Sequence, residues 1–372
     1  MKKIVQLDYM QSSYSKLNRL KNNYKNLLIF FITLFTIGFS ISVKSESSNK
    51  NEKAPASLEE DKKNNLIDSK ILNSEILPEQ LLQIADTQAF AKYVFIADKF
   101  QRRLFLYERS GTSIKLVEAV PADIGKNGGN KTKANDKKTP EGIYFFQKNL
   151  KPPEIPFDQY GKMAFTLDYP NIFDEREKKT GNGIWLHSVP DSVPLTRGSR
   201  GCVVVRNEVI EKLFSFIQLK ETPILIFDKV NFVPPSEHTK KRDEISSFLN
   251  SWKDAWQSKD IDKYLSFYDS EFKSMGFNFK RWKRYKQGLV DKYGYIKVDF
   301  DQPFILIHNN QLIVKTLQKY ESDKHKDFGI KMIHALKVNG QYKIISEDWK
   351  EADPKGFELA TQQTQSSQII KQ

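Results

Sequence analysis

The spacing of apolar and polar residues changes several times along the chain, and each change marks a boundary. Residues 27–43 run from Leu27 to Val43 without a charge. The run has no polar face, which argues against a helix of a globular domain and fits either a membrane-spanning segment or the core of a signal peptide. Residues 44–65 are rich in Ser, Asn, Lys and Glu, the composition of a disordered spacer. From Leu66 to Ile84 apolar residues recur near helical spacing, broken at Pro78. This predicts a helix whose face packs on the following domain or on a second copy of the chain.

From Tyr93 the period shortens to that of strands. Tyr93–Ala97, Arg103–Tyr107, Ile114–Ala119, Ala122–Ile124 and Ile143–Phe146 are short β-prone runs joined by polar turns. The glycine-rich stretch 125–130 lacks a following Gly-Lys-Ser/Thr and predicts a flexible hairpin tip, not a phosphate cradle. Residues 151–181, with Pro152, Pro153, Pro156 and Pro170, read as a long irregular insertion of the kind that forms a wall or lid. Glu208–Leu219 has helical spacing, and Thr222–Phe227 reads as a last strand. The first domain is therefore drawn at 91–229, after a linker and helical segment at 44–90, and is mainly β with short helices.

A linker at 230–243 leads to a second domain at 244–352. Ile245, Phe248, Leu249, Trp252 and Trp256 fall at helical spacing, Ile261–Tyr268 continues it, and Phe279–Leu289 predicts a strongly basic helix. Strand runs follow, with hairpin signals at Asn309-Asn310 and Asn339-Gly340. Helices before an antiparallel sheet predict an α+β domain. The tail 353–372, rich in Gln, Ser and Thr, predicts disorder.

Chemistry concentrates in 183–207. Cys202 is the single cysteine and cannot form an internal disulfide. It is either a buried small hydrophobe or a nucleophile. Ser199-Arg200-Gly201 precede it: the glycine permits a tight turn that brings amides near the sulfur, and Arg200 favours the thiolate. His187 ends the strand-like run Ile184–Leu186, from which a general base reaches a nucleophile on a neighbouring strand. His308, His325 and His334 lie on separate elements without metal-ligand spacing, so no metal is expected. Arg281, Lys283, Arg284 and Lys286 form a basic helix face, either solvated or in contact with an anionic polymer.

Composition adds compartment and partner class. The chain has 372 residues, 39% hydrophobic, with net charge +13. That balance favours anionic partners. The lysines are dispersed and no recognition motif accompanies them, which argues against nucleic acid. Residues 1–26 carry Lys2, Lys3, Lys16, Arg19, Lys21 and Lys25 against Asp8, so they belong on the cytoplasmic side and the rest is exported. An uncleaved inner-membrane anchor is favoured over a signal peptide, because the basic region is long and the cleavage sites poor.

The order His187, Ser199, Gly201, Cys202, Asn207 resembles the L,D-transpeptidase catalytic family of bacterial cell-wall enzymes. Upstream, Asp136–Tyr144 resembles the family's Thr-Pro-Glu-Gly-aromatic hairpin. Leu167–Asn171 with Thr180-Gly181 resembles a cell-shape subgroup, and the likeness covers about 91–229. Arg200 replaces the family's usual second histidine, and Val204 stands where an arginine is common, with Arg206 nearby. The resemblance implies a β-sandwich and acyl transfer through a Cys202 thioester. His187 is then the base, Ser188 orients it through its carbonyl, and the Gly201 and Cys202 amides face the oxyanion. Ser199, Arg200, Arg206, Asn207, Tyr169 and Asn171 become candidate substrate contacts. Tyr169 and Asn171 read equally well as loop packing. The implied partner is a peptidoglycan stem peptide, on the periplasmic or envelope face, with no cofactor. The product is a crosslink or attachment, or else a tetrapeptide trimmed to a tripeptide. Residues 244–352 resemble the nuclear-transport-factor-like cone found behind such domains in cell-shape peptidases. A non-catalytic wall-binding scaffold is the remaining class.

Overall fold

The computed structural model describes residues 76–353, apart from 86, 88, 111 and 112. The basic segment, the uncharged run, the spacer and the glutamine-rich tail lie outside the described residues. Among the described residues no helix is long and apolar enough to cross a membrane.

Two short strands come first, β1 (Leu77–Pro78) and β2 (Leu81–Gln83). The catalytic-type domain then runs β3 (Tyr93–Asp98), β4 (Arg103–Ser110), β5 (Ser113–Pro121), β6 (Gly142–Leu150), α1 (Phe157–Tyr160), β7 (Ala164–Leu167), α2 (Ile172–Arg176), β8 (Trp185–Val189), β9 (Val203–Arg206), α3 (Asn207–Leu213) and β10 (Pro223–Phe227). The C-terminal domain follows β11 (Phe232–Val233) with α4 (Pro235–Gln257), α5 (Ile261–Ser266), β12 (Lys273–Ser274), β13 (Phe277–Asn278), α6 (Phe279–Lys292), β14 (Ile296–Phe300), β15 (Phe304–His308), β16 (Gln311–Ser322), β17 (Lys326–Val338) and β18 (Gln341–Glu351). The fold is thus mainly β in its first domain and α+β in its second, as the patterning predicts.

Eight strands make one sheet in the order β5-β4-β3-β10-β6-β7-β8-β9. It bends at β6, where the register to β7 shifts between Phe146 and Lys148. Its halves then face each other across one core, with Phe95, Leu106, Tyr144, Phe165, Leu186 and Val205 all buried in it. The chain leaving β5 returns to the far edge: Asp123 bridges Val204 and Gly125 bridges Ser199. The glycine-rich stretch is therefore not a free tip. Gly125 is packed so closely that a Cβ would lie 2.6 Å from the Lys137 carbonyl. The proline-rich insertion also differs from expectation, since Ala164–Leu167 is a sheet strand. Its alternation is too short to register in sequence, and pairing on both edges supplies what local propensity does not.

The helix predicted over 66–84 is overturned where it can be seen. β1 pairs with β11, and β2 adds an antiparallel edge to β15 of the second domain. Leu81 packs into the core shared by both domains and Leu82 into the helical core behind it, the two-sided burial of a strand. The predicted linker is structured as well: its second half is the start of α4, with Pro235 at the helix N-terminus. Both predicted hairpins are present. Asn309, Asn339 and Gly340 have φ of 53°, 51° and 81°, as tight turns between β15 and β16 and between β17 and β18 require.

The domains share a continuous apolar core, including Phe105, Ile143, Phe145 and Leu225 from the first and Phe304, Leu306, Ile313 and Ile345 from the second. Arg176 crosses to Asp269 at 2.6 Å, and Lys315 pairs with Glu221. A cleft of about 770 Å³ lies at the margin of this junction, between the 168–175 segment and the β12–β13 hairpin.

Candidate active site

The site forms at the edge formed by β8 and β9. These strands are parallel, with His187 opposite Val204. Residues alternate across the sheet. Leu186, Val203 and Val205 point into the main core, while Trp185, Val189, Val204 and Cys202 gather on the other face. His187 lies between Trp185 and Val189 on that same face. The imidazole and the thiol are thus diagonal neighbours on one side of adjacent strands.

His187 is 4% exposed. Its Nδ1 lies 2.9 Å from the Ser188 carbonyl oxygen. A carbonyl only accepts, so Nδ1 carries the proton and Nε2 is left as the basic nitrogen. Burial drives the imidazole pKa down to about 4, partly offset by the Ser188 carbonyl, with the Arg197 charge lowering it further. The ring is neutral at pH 7.

Cys202 is held by a locked turn. Ser199 Oγ donates to the Cys202 carbonyl at 2.7 Å and accepts from the Gly201 amide at 3.0 Å. Gly201 has φ +131°, and a Cβ there would lie 2.7 Å from the Lys138 carbonyl. Only glycine suits that backbone. Asp123 ties the approach: it accepts from the Gly198 and Ile124 amides at 2.8 Å each and pairs with Arg102. Sγ lies 3.6 Å from the Gly183 carbonyl. Burial raises the thiol to about 11, against the Trp185 amide, Arg200 and Lys131, which pull it down. The resting pair is therefore neutral thiol and neutral imidazole.

The remaining sequence-derived candidates divide. Arg200 is exposed beside the thiol. Arg206 is spent on the loop that follows β8, donating to the Val193 carbonyl at 2.6 Å and the Pro190 carbonyl at 3.2 Å. The Gly201 amide is occupied within the turn. Asn207 and Ser188 work from behind, where Asn207 Oδ1 and Ser188 Oγ each accept from the Lys162 amide at 3.0 Å. Tyr169 is buried against Tyr144, with its hydroxyl on the Thr180 carbonyl at 3.2 Å. Asn171 caps α2 and donates to the Ile143 carbonyl at 2.8 Å, and it lines the interdomain cleft, not the thiol face.

Other neighbours carried no signal in sequence. Lys131 is 3% exposed and paired with Asp136 at 2.8 Å, yet its charge reaches Cys202. Its distance in sequence hides it. Trp185 shares the alternation of His187, which marks it in retrospect. Tyr160 packs edge-on to His187 with ring centroids 5.1 Å apart. Among the described residues no cluster of His, Cys, Asp or Glu has metal-binding geometry. His308 and His334 are buried strand residues, packed on Phe227 and Phe173.

Residues 92–226 match the L,D-transpeptidase catalytic domain family, and residues 244–348 match the Cds6 C-terminal NTF2-like domain. The structure of Bd1075 from Bdellovibrio bacteriovorus is 58% identical, with TM-score 0.70, covering 75% of this chain and 99% of that one. The helical cell shape determining protein Pgp2 of Campylobacter jejuni is 26% identical, with TM-score 0.57, covering 77% and 99%. YafK of Escherichia coli K12, which carries an L,D-transpeptidase name, is 28% identical over 161 residues, 41% of this chain and 59% of that protein. With the His187–Cys202 edge, the two matched segments and the likeness over three quarters of the chain all in agreement, the chain belongs to the L,D-transpeptidase family and carries a C-terminal NTF2-like domain.

Proposed function

We propose that the protein is a peptidoglycan-modifying cysteine acyltransferase acting on stem peptides. The observation that carries this reading is the placement of His187 and Cys202 on one face of adjacent strands, with Nδ1 of His187 tied to the Ser188 carbonyl. His187 Nε2 takes the thiol proton as Sγ attacks the carbonyl that precedes a terminal D-residue. The tetrahedral intermediate collapses, the C–N bond breaks, and the imidazolium returns its proton to the leaving amine. A thioester remains. An amine of a second stem then attacks it to give a crosslink, or water attacks to give a shortened stem. Exposed Arg200 supplies positive charge beside the reacting centre, the role that Arg206 cannot take while it holds the 190–193 loop.

The second reading is the hydrolytic branch, trimming tetrapeptide to tripeptide, and a role in cell shape is supported by the likeness to Pgp2, a helical cell shape determining protein. The substrate class places the domain on the envelope face, and the uncharged run 27–43 preceded by lysines fits export with an anchor. Mass analysis of muropeptides incubated with purified protein tests the reading. Loss of one D-alanine identifies the carboxypeptidase, dimers joined through stem peptides identify the transpeptidase, and unchanged muropeptides would overturn both.

A further inference from the structure

The active face holds one group that none of this chemistry has used. Tyr160 ends the short helix α1, half-buried, with its ring 5.1 Å from His187 and 4.8 Å from Trp185. Trp185 in turn packs with Cys202, and its amide is directed at the sulfur. Tyr160 thus packs on the imidazole whose Nδ1 the Ser188 carbonyl holds.

Its placement is built in from behind. Gly161 follows with φ +63°, and a Cβ there would lie 2.4 Å from both Ser188 Oγ and Asn207 Oδ1. Those two oxygens share the Lys162 amide, and the Ser188 amide donates to the Met163 carbonyl at 3.1 Å. The residue after His187 and the residue five past Cys202 therefore clamp the turn that seats Tyr160. Neither Ser188 Oγ nor Asn207 Oδ1 faces the thiol, since both lie on the far side of the β8–β9 edge.

We propose that Tyr160 is a positioning residue for His187, held in register by Ser188 and Asn207, and that its ring keeps the imidazole dry and aimed at Cys202. This rests on the reading of His187 as the base. The charge acting on the ring is Arg197 from the loop, Tyr160 packs on it, and Cys202 lies on the same face of the neighbouring strand. An aromatic ring on a neutral imidazole disfavours its protonation by excluding water. It also limits the ring to one rotamer, and misplacement of about 1 Å at such a base costs on the order of a hundredfold in rate.

The test uses the purified full chain labelled with ¹⁵N-histidine. The chain has five histidines, and loss of one signal in His187→Gln assigns the imidazole. In Tyr160→Ala the His187 midpoint should rise by about one unit toward the free value. The acid limb of kcat/KM should move with it, and kcat should fall by about tenfold or more. Tyr160→Phe, which keeps the ring, should recover most of the loss. Asn207→Ala should move the midpoint in the same direction, and Asn207→Asp, which keeps an acceptor, should restore it. An unmoved midpoint in a Tyr160→Ala protein with unchanged thermal melting would overturn the proposal, as would Tyr160→Phe behaving like alanine. Wild-type protein without turnover would sink the function instead, and the titration would still decide the contact.

Discussion

Two buried clusters, one in each domain, hold their ionisable groups in opposite ways. Inside the C-terminal cone, Glu347 is fully buried and bonded to Lys331 and Tyr268. Burial alone would raise its carboxyl, but Lys331 and Lys286 outweigh that and hold it below the usual range. Lys286 is pushed down to about 7 by burial, with Glu347 opposing, and its ammonium lies 4.3 Å from the Trp256 ring and 4.6 Å from that of Trp282. On the β8–β9 edge, His187 has no carboxylate beside it, and Arg200 and Lys131 offset the burial of Cys202 only in part. Burial moves each toward its neutral form, to about 4 and about 11. Compensation keeps the Glu347 carboxylate ionised and braces the cone. Uncompensated burial stores a neutral pair that ionises only as charge develops on a substrate.

The sharpest way to break this contrast is Cys202→Ala. Turnover of muropeptides should fall on the order of 10⁴-fold or more, with little change in unfolding midpoint, because a small buried group is replaced by another. A thiol-reactive probe should label wild type only. Retained turnover removes the acyl-enzyme. In the cone the loss should appear as stability: Glu347→Ala leaves two ammonium groups unpaired and should cost about 3–5 kcal/mol in urea unfolding. A cost under about 1 kcal/mol would mean that the cluster is not compensated as described.

Gly201→Ala tests whether the thiol turn is strained by design. A Cβ meets the Lys138 carbonyl at 2.7 Å, so stability should drop by about 1–3 kcal/mol and activity with it. The smallest effect is pH dependence. His187, His308 and His334 are each depressed by burial to about 4. Between about 4 and 6.5 the unfolded chain binds the protons that the folded chain refuses, so stability falls as pH drops through that window. Each histidine contributes up to about 2 kcal/mol between pH 7 and 5. His334→Phe should remove one share, read as a shallower stability–pH slope. An unchanged slope would show that His334 is protonated without cost.

Much of this was legible before any coordinates. Four of the strand runs between Tyr93 and Phe146, the helix at Asn207, the basic helix α6 and both Asn-containing hairpins fall where the patterning puts them, while Ala122–Ile124 makes only an isolated bridge at Asp123. The thiol and imidazole were legible because one cysteine sits in a distinctive turn. Asn171 and Arg206 went elsewhere: one caps α2, the other buttresses a loop, and both roles are set by what the chain meets in space. Tyr160 and Lys131 had no sequence signal, because each reaches the site from a connecting segment whose path depends on sheet closure.

What the residues alone determine here is local: alternation that pairs strands, glycine where a turn needs it, and a histidine and a cysteine in family order. These are short-range consequences of backbone geometry and side-chain type. Tertiary structure decided the rest. Leu77–Gln83 became strands because β11 and β15 offered unpaired edges, and an edge pairing with burial on both faces outweighs a weak helical period. The same long-range closure buried His187 and Cys202 together, with burial outweighing the nearby cations, a property of the assembled sheet that no stretch of sequence contains.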